Sequence, residues 1–298
     1  MKQAKPKKIF LIINKYAGNG NGAISVDIVI PFLKKNGCEV EFVFTQRRGH
    51  AIELAANASS HGFDLVVAVG GDGTVNEVAQ GLIGTLTPMG IIPIGSGNGL
   101  ARELGISMNM RKSARTLIEG KTLHLDVCKL NDQRFLCTSG IGFDALIAYK
   151  MSKSVSRGFL RYVKLVVQEI IFLKPVEVRM KIDGVQIAES VFLITFANVS
   201  QFGNNAYIAP SASMTDGLID VVVVKKFSKI WMPVFIIALF TRQIPKLPFV
   251  ECYKAKQIDL ELADTLYYHF DGEPGQLKIP AQINLDMGKI WVRCGRLR

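Results

Sequence analysis

The sequence predicts two domains. The first is an N-terminal doubly wound parallel α/β domain, and the second is a C-terminal antiparallel domain of β-sandwich type. Three observations carry this reading. Over residues 9–104, short apolar runs alternate with helix-length patterns, as in a parallel sheet with helices on both faces. Three strand-to-helix junctions in that stretch are rich in glycine. Beyond about Leu125, strand-like runs separated by Gly, Asp, Asn and Pro turns take over, as in sandwiches and barrels.

The elements follow in order. Ile9–Ile13 is an unbroken apolar run preceded by Lys2, Lys5, Lys7 and Lys8. That start imitates a signal peptide. The run is only five residues long, however, and no small-residue cleavage site follows at the right distance, so it reads as a first buried strand. Ala23–Lys35 predicts a helix, Val40–Phe44 a strand, Ala51–Ser60 a helix and Leu65–Val69 a strand. Val75–Ile83 then predicts a helix, Gly90–Ile94 a strand, and Leu100–Leu104 opens another helix. In the second half, Val176–Ile182, Val191–Phe196, Leu218–Val224, Gln257–Leu262 and Leu277–Ile279 predict strands. Helical segments are expected at Arg157–Leu173 and Ser228–Arg242. The domain boundary is placed near Leu125–Lys129, giving residues 1–127 and 128–286.

Composition narrows the function. Lys plus Arg number 36 and Asp plus Glu 25, for a net charge of +11. A hydrophobic content of 49% supplies a sizeable core and argues against disorder. The positive charge serves solubility, or attracts an anionic surface or ligand. No helix-turn-helix, RRM or zinc-finger pattern occurs, so nucleic acid is not expected as a partner. Cys38, Cys128, Cys137, Cys252 and Cys294 are scattered and form no C-x-x-C pair, which fits a reducing compartment without structural zinc. The four histidines show no metal-ligand spacing. The longest apolar stretch, Ile230 to Phe240, has eleven residues and contains Pro233. That is about half of the roughly 20 needed to span a bilayer, so a soluble, surface-associating protein is expected.

The glycine-rich junctions are Asn14 to Gly22, Gly70-Gly-Asp-Gly-Thr-Val-Asn-Glu77, and Pro93-Ile-Gly-Ser-Gly-Asn-Gly99. In a parallel sheet such loops share the edge at the C-terminal ends of the strands, where ligands bind. Glycine lets backbone N–H groups approach a phosphate closely. Within Gly70–Thr74, Asp72 can carry Mg²⁺, and Thr74 can donate a hydroxyl or cap the next helix. A competing reading comes from Gly18-x-Gly20-x-x-Ala23 with Glu39 and Glu41 about 20 residues on. That is a dinucleotide-type pattern, and it keeps an NAD(P)-dependent oxidoreductase open.

Gly70-Gly-Asp-Gly-Thr-Val-Asn-Glu-Val78 resembles the nucleotide-binding signature of the diacylglycerol kinase catalytic domain family, which includes bacterial lipid kinases and sphingosine kinases. Pro93-Ile-Gly-Ser-Gly-Asn-Gly-Leu-Ala-Arg102 is similar to its second glycine motif. Thr45, Asp126, Gly140-Ile-Gly-Phe-Asp144, Asp216-Gly-Leu-Ile-Asp220 and Asp271-Gly-Glu273 match further on, and the ordered set runs from about Lys8 to Arg298. Two departures are visible. Lys15 stands where the family has proline, and Ser96 with Asn98-Gly99 stands where it has Thr with Asn-Asp.

The resemblance implies an ATP- and Mg²⁺-dependent lipid kinase. Asn14, Thr45, Gly70, Gly71, Asp72, Gly73, Thr74, Asn76 and Ser96 would contact ATP. Glu273 would act as general base on the lipid hydroxyl, and Asp72 and Asp126 would hold active-site Mg²⁺ and water. A structural Mg²⁺ in the second domain would take Ser213, Asp216 and Leu218. The tail at about 287–298 would pack back on the first domain. The acceptor expected first is diacylglycerol, reached through peripheral contact with a membrane by a cytoplasmic protein, and a homodimer stays open. By residues alone, Asp271-Gly-Glu273 reads as a hairpin turn and Thr215-Asp-Gly217 as a type I turn. An NAD kinase, which shares Gly70–Thr74, and an inactive lipid-binding module are the alternatives.

Overall fold

The structure is a computed structural model describing residues 5–18, 20–153, 159–170, 172–263, 267–276 and 278–295. The chain divides into two compact units. One comprises residues 1–125 with 287–298, and the other residues 126–286.

The first unit opens with β1 (Lys8–Ile13), α1 (Asn21–Lys35), β2 (Glu39–Phe44), α2 (His50–Ser60) and β3 (Leu65–Gly70). It continues with α3 (Asp72–Leu82), β4 (Met89–Pro93), α4 (Gly99–Glu103), α5 (Met110–Glu119) and β5 (Lys121–Leu125). The second unit holds β6 (Cys128–Leu130), β7 (Gln133–Phe135), β8 (Thr138–Gly142), α6 (Phe143–Ser152), α7 (Phe159–Ile170), β9 (Val176–Ile182), β10 (Val185–Ala197) and β11 (Ile219–Lys225). It ends with α8 (Met232–Thr241), β12 (Val250–Ala255), β13 (Gln257–Ala263), β14 (Tyr267–Phe270), β15 (Glu273–Gln276) and β16 (Ala281–Leu285). A last strand, β17 (Ile290–Cys294), returns to the first unit.

The first unit's sheet has the order β2-β1-β3-β4-β17-β5. Strands β1 to β4 are parallel to one another, and β17 runs parallel to β4 and antiparallel to β5. Strands β3 and β4 are buried along their whole length, as continuous apolar runs between two helical layers must be. The edge strand β2 is only partly covered. Helices α1 and α5 pack together, as do α2 and α3, and right-handed crossovers put these pairs on opposite faces. The helix α5 has no counterpart in the sequence reading.

The second unit's strands are antiparallel. The thirteen-residue β10 makes the sandwich. Its first half, Val185 to Val191, pairs with β9, and its second half, Leu193 to Ala197, lies between β8 and β11. A register irregularity between Val191 and Leu193 marks the change, the place where a strand can bend from one layer to the other. Strand β11 is buried on both faces. Its Val221 and Val223 enter one core with Phe135, Phe196 and Ile258. Its Val222 and Val224 enter a second core with Phe192, Phe235 and Phe249, beneath α8.

Two expectations need correction. Residues Lys278 and Ile279 form no strand; the chain there bends before Pro280, and Leu277 lies outside the described residues. The helix expected from Arg157 is described from Phe159 and ends at Ile170, and Arg157 and Ile171 lie outside the described residues. All five cysteines are free thiols.

Lys225 closes β11 by pairing with Glu189 on β10 at 2.8 Å and with Glu251 on β12 at 2.7 Å. These bonds hold Lys225 above its ordinary pKa range, and the Lys225 bond, with Tyr253 second, holds Glu251 below the carboxylate value of 4.5. A depressed carboxylate stabilises the fold above its unfolded pKa, and that contribution fades as pH falls through the folded one. Lys225→Met should therefore cost about 1 kcal/mol at neutral pH, an amount set by partly exposed pairs. In urea unfolding at stepped pH, its gap from wild type should close as the pH drops below 4.5.

Candidate active site

In a sheet ordered β2-β1-β3-β4, the direction of winding reverses between β1 and β3. Ligands of doubly wound folds bind in the crevice outside that switch point. The loop leaving β1 starts at Asn14 and ends before α1, the one leaving β3 is Gly71, and backbone and side-chain contacts lock them together. The Asn14 backbone N–H donates to Val69 O at 3.0 Å. The Asn14 side-chain amide donates to Thr74 Oγ1 at 3.3 Å. Gly71 is the N-cap residue of α3 and no side chain caps that helix, so Thr74 is not a cap. It sits buried in the first turn and receives Asn14 instead.

The third loop, after β4, is held by Asp72. Its Oδ1 accepts the Gly99 N–H at 2.7 Å and its Oδ2 accepts the Asn98 N–H at 2.8 Å. Asn98 in turn accepts the Gly95 N–H at 3.0 Å and donates to Gly95 O at 2.7 Å. Loop backbones touch where side chains would stand. A Cβ on Gly95 would meet Gly71 Cα at 2.5 Å, and a Cβ on Gly18 would meet Ile94 O at 2.2 Å. Glycine is thus required for close approach of three backbones. Gly73 follows Asp72 in the first turn of α3, with its N–H groups near the positive end of the helix.

The remaining predicted contacts spread along the same edge. Thr45, half-buried at the end of β2, donates its N–H to Ile13 O at 2.9 Å. Asn76 is half-buried one turn into α3, where Gln80 donates to its Oδ1 at 3.5 Å. Ser96 is exposed in the loop after β4. Glu77, which the sequence reading left without a role, accepts the N–H groups of Gly49 at 2.9 Å and Ala51 at 3.2 Å. It anchors the start of α2.

The dinucleotide reading fails on geometry. A ribose-binding acid stands at the C-terminal end of the second strand. Glu39 begins β2 and pairs in register with Lys8, Glu41 sits mid-strand beside Phe10, and the C-terminal end is Phe44. Five residues of strand put Glu39 about 16 Å from the loop edge.

In the second unit, Asp271 and Gly272 have φ of 49° and 78° and connect the paired residues Phe270 and Glu273. This is the two-residue hairpin with both central residues left-handed. The hairpin reading is correct, and it delivers Glu273 to the first position of β15. The turn is anchored twice. Asp271 accepts the N–H groups of Leu136, Cys137 and Thr138 at 2.9, 2.7 and 3.1 Å. His269, 3% exposed, places Nε2 at 3.2 Å from Asp144 Oδ2, and its Nδ1 accepts the Gly272 N–H at 3.4 Å. That network assigns the proton to Nε2. Thr195 Oγ1 also donates to Asp144 Oδ2, at 3.1 Å. His269, read as unremarkable from spacing, is thus a buried support of the turn, and only the pairing of β14 with β8 brings it to Asp144.

Asp126 is 1% exposed. Its N–H donates to Met214 O at 2.7 Å, and its Oδ2 accepts the Gly217 N–H at 2.9 Å. Asp126 therefore fastens the loop that carries Ser213, Asp216 and Leu218. In that loop Asp216 Oδ1 accepts the Leu218 N–H at 3.1 Å, and Ser213 Oγ lies 3.4 Å from Thr215 Oγ1. Lys254 places its ammonium 2.8 Å from Asp216 Oδ2 and 3.1 Å from Asp220 Oδ2. Burial works to lower the Lys254 pKa, but the bonds to Asp216 and Asp220 outweigh it and the net shift is upward. A cation already stands on the one carboxylate of the implied metal set. As arranged, these residues do not fit a resident Mg²⁺. Within the first unit, the glycine loops and the hard oxygens of Asp72 do fit a magnesium nucleotide in chemical type.

A glycine-lined switch point with a carboxylate at its centre defines a phosphate-handling α/β protein. Residues 8–130 match the diacylglycerol kinase catalytic domain, and residues 138–292 match the YegS C-terminal NAD kinase beta sandwich-like domain. The chain belongs to the diacylglycerol kinase catalytic domain family and is a kinase. A diacylglycerol kinase of Mycobacterium tuberculosis is 29% identical over 285 residues, spanning 93% of this chain and 92% of its own. That of Bacillus subtilis is 28% identical and covers 94% of each. The crystal structure of a diacylglycerol kinase from Bacillus anthracis superposes with a TM-score of 0.79 at 25% identity, covering 98% of both chains.

Two outcomes are expected. Asp271→Asn replaces an acceptor of three N–H groups by an amide that competes with them, and should cost about 3 kcal/mol in urea unfolding. Chelation by EDTA should leave the thermal midpoint unchanged, because Lys254 supplies the positive charge at Asp216. A fall of several degrees on EDTA treatment would restore the metal.

Proposed function

We propose that this chain transfers the γ-phosphate of ATP to a lipid hydroxyl in a Mg²⁺-dependent reaction, with diacylglycerol as acceptor and phosphatidic acid as product. The observation that carries this reading is the packing of three glycine loops around Asp72 at the switch point of a parallel sheet. The names of the relatives support the acceptor.

Each side chain then has a task. Backbone N–H groups at the start of α3 and in the loops after β1 and β4 bind phosphate oxygens. Asn14, Thr45, Thr74, Asn76 and Ser96 orient the nucleotide. Mg²⁺, when bound, would supply charge neutralisation on the phosphates, and the carboxylates that would serve it are Asp72 in the first unit and Asp126 in the second. Glu273 accepts the hydroxyl proton of the acceptor. The hydroxyl oxygen forms its bond to the γ-phosphorus as the bond to the β–γ bridging oxygen breaks, and ADP leaves with that electron pair. The rigid hairpin behind Glu273 keeps the carboxylate aimed, which is most of what phosphoryl transfer asks of a protein base.

The acceptor is a lipid, so the reaction is a visit to a membrane surface. No described helix is long and apolar enough to cross a membrane. Five free thiols suit a cytoplasmic setting.

The test is transfer of labelled γ-phosphate in mixed micelles to diacylglycerol, sphingosine, phosphatidylglycerol and NAD, with and without Mg²⁺. Labelling of diacylglycerol is expected, and labelling of NAD alone would replace this reading with the NAD kinase one. Glu273→Gln should lower turnover by about 10²- to 10⁴-fold, the usual worth of a positioned general base. ATP affinity in that variant should stay within about twofold, since the base contributes nothing to nucleotide binding before transfer. Undiminished turnover would remove Glu273 from the role.

A further inference from the structure

The segment from Lys225 to Val250 contains five basic residues, Lys225, Lys226, Lys229, Arg242 and Lys246, and no acidic residue. It folds as a 3-10 turn, Lys229–Trp231, running into α8. One face of α8 is core: Met232, Phe235 and Ala238 pack against Phe192, Phe227 and Phe249. The other face is also apolar, and it is exposed. Ile230 is 81% exposed and Ile237 63%, with Trp231, Val234 and Phe240 between 43% and 46%. Positions 230, 234 and 237 fall on one helical stripe, and Phe240 continues it one turn beyond Ile237.

A single exposed leucine needs no explanation, but five large apolar side chains in eleven residues do. The charge around the stripe says what covers it. Lys226 and Lys229 precede it and Arg242 and Lys246 follow it, all exposed. Arg242 lies over the Tyr207 ring at 4.1 Å. Cations at both ends of an apolar stripe, with no anion among them, complement an anionic lipid surface, where long basic side chains reach headgroups while apolar side chains enter the acyl boundary. Trp231 suits the same depth, with an apolar ring and one polar N–H. Ten residues of helix measure about 15 Å, half a bilayer, so α8 lies in the interface plane.

We infer that the outward face of the 229–241 segment is a docking surface for an anionic lipid bilayer, which brings the second unit to its acceptor. The choice of lipid as partner rests on the lipid-kinase reading above, but the binding itself is read without turnover.

The experiment is co-sedimentation of the full chain with phosphatidylcholine vesicles, with and without phosphatidylglycerol. Wild type should bind the phosphatidylglycerol vesicles and release from them as salt rises. Ile230→Glu/Ile237→Glu should weaken that binding at least about tenfold, because carboxylates replace the inserted groups. Val185→Glu, also at an exposed position of the second unit, should bind as wild type does. Both variants should match wild type in thermal midpoint and in turnover of a short-chain, monomeric acceptor. Equal vesicle binding by wild type and the double variant overturns the inference, as does no binding by wild type. So does a wild-type dimer in lipid-free sedimentation that the double variant dissolves, since the face would then cover a second copy. Vesicle binding that is intact and sensitive to Ile237 in a protein that phosphorylates no lipid keeps this inference and discards the kinase acceptor.

Discussion

The carboxylate of Asp72 holds both the Asn98 and the Gly99 N–H groups, and the rest of the nucleotide edge depends on that. Two loops at the ends of different strands would otherwise repel, because each presents backbone donors with nothing between them. An ionised acceptor makes such bonds roughly twice as strong as neutral ones. Once Asp72 draws the β4 loop in, Gly71 and Gly95 are pressed backbone to backbone, and a Cβ at either would collide or crowd. The glycines are thus consequences of one electrostatic attachment. Gly99, which departs from the related motif, takes part through its backbone.

The same device recurs in the second unit. Asp271 gathers three N–H groups from the connection between β7 and β8 and the first residue of β8, and Asp126 takes one from Gly217. Acidic residues that a reaction-centred reading reserves for metal or proton are spent here on holding backbone. The two uses are compatible, since a carboxylate has about four lone-pair sites. A hairpin fixed by Asp271 on one side and His269 on the other has few ways to move, and a base on a rigid turn loses little entropy when its substrate arrives.

Sequence reasoning reached the parallel strands easily because a strand buried on both faces must be apolar at every position. Ile9–Ile13 and Leu65–Val69 have no other reading. It missed α5, whose polar composition hides its amphipathic stripe, the helix α6, and the strands β5 to β8, β12, β16 and β17, most of them short and defined by partners more than by their own residues. It placed a strand at Leu277–Ile279, where the residues suit a strand but the chain bends before Pro280. Among site residues, the glycine motifs were visible because close approach restricts residue type. His269 was invisible, because a lone histidine says nothing until a partner across a sheet is known.

By itself the sequence determined the alternation that makes a doubly wound sheet, the edge on which its glycine loops lie, the sandwich texture of the second half and the family. All of these are local, written in residue type and spacing along the chain. Tertiary structure alone decided that Glu39 stands at the wrong end of β2 for a dinucleotide, that Lys254 stands on Asp216, that Asp126 is buried, and that α8 turns an apolar face outward. Each of these depends on a partner far along the chain or on which side of a helix meets the core. Spacing carries no record of either, because pairing between distant segments is settled by the packing of the whole unit.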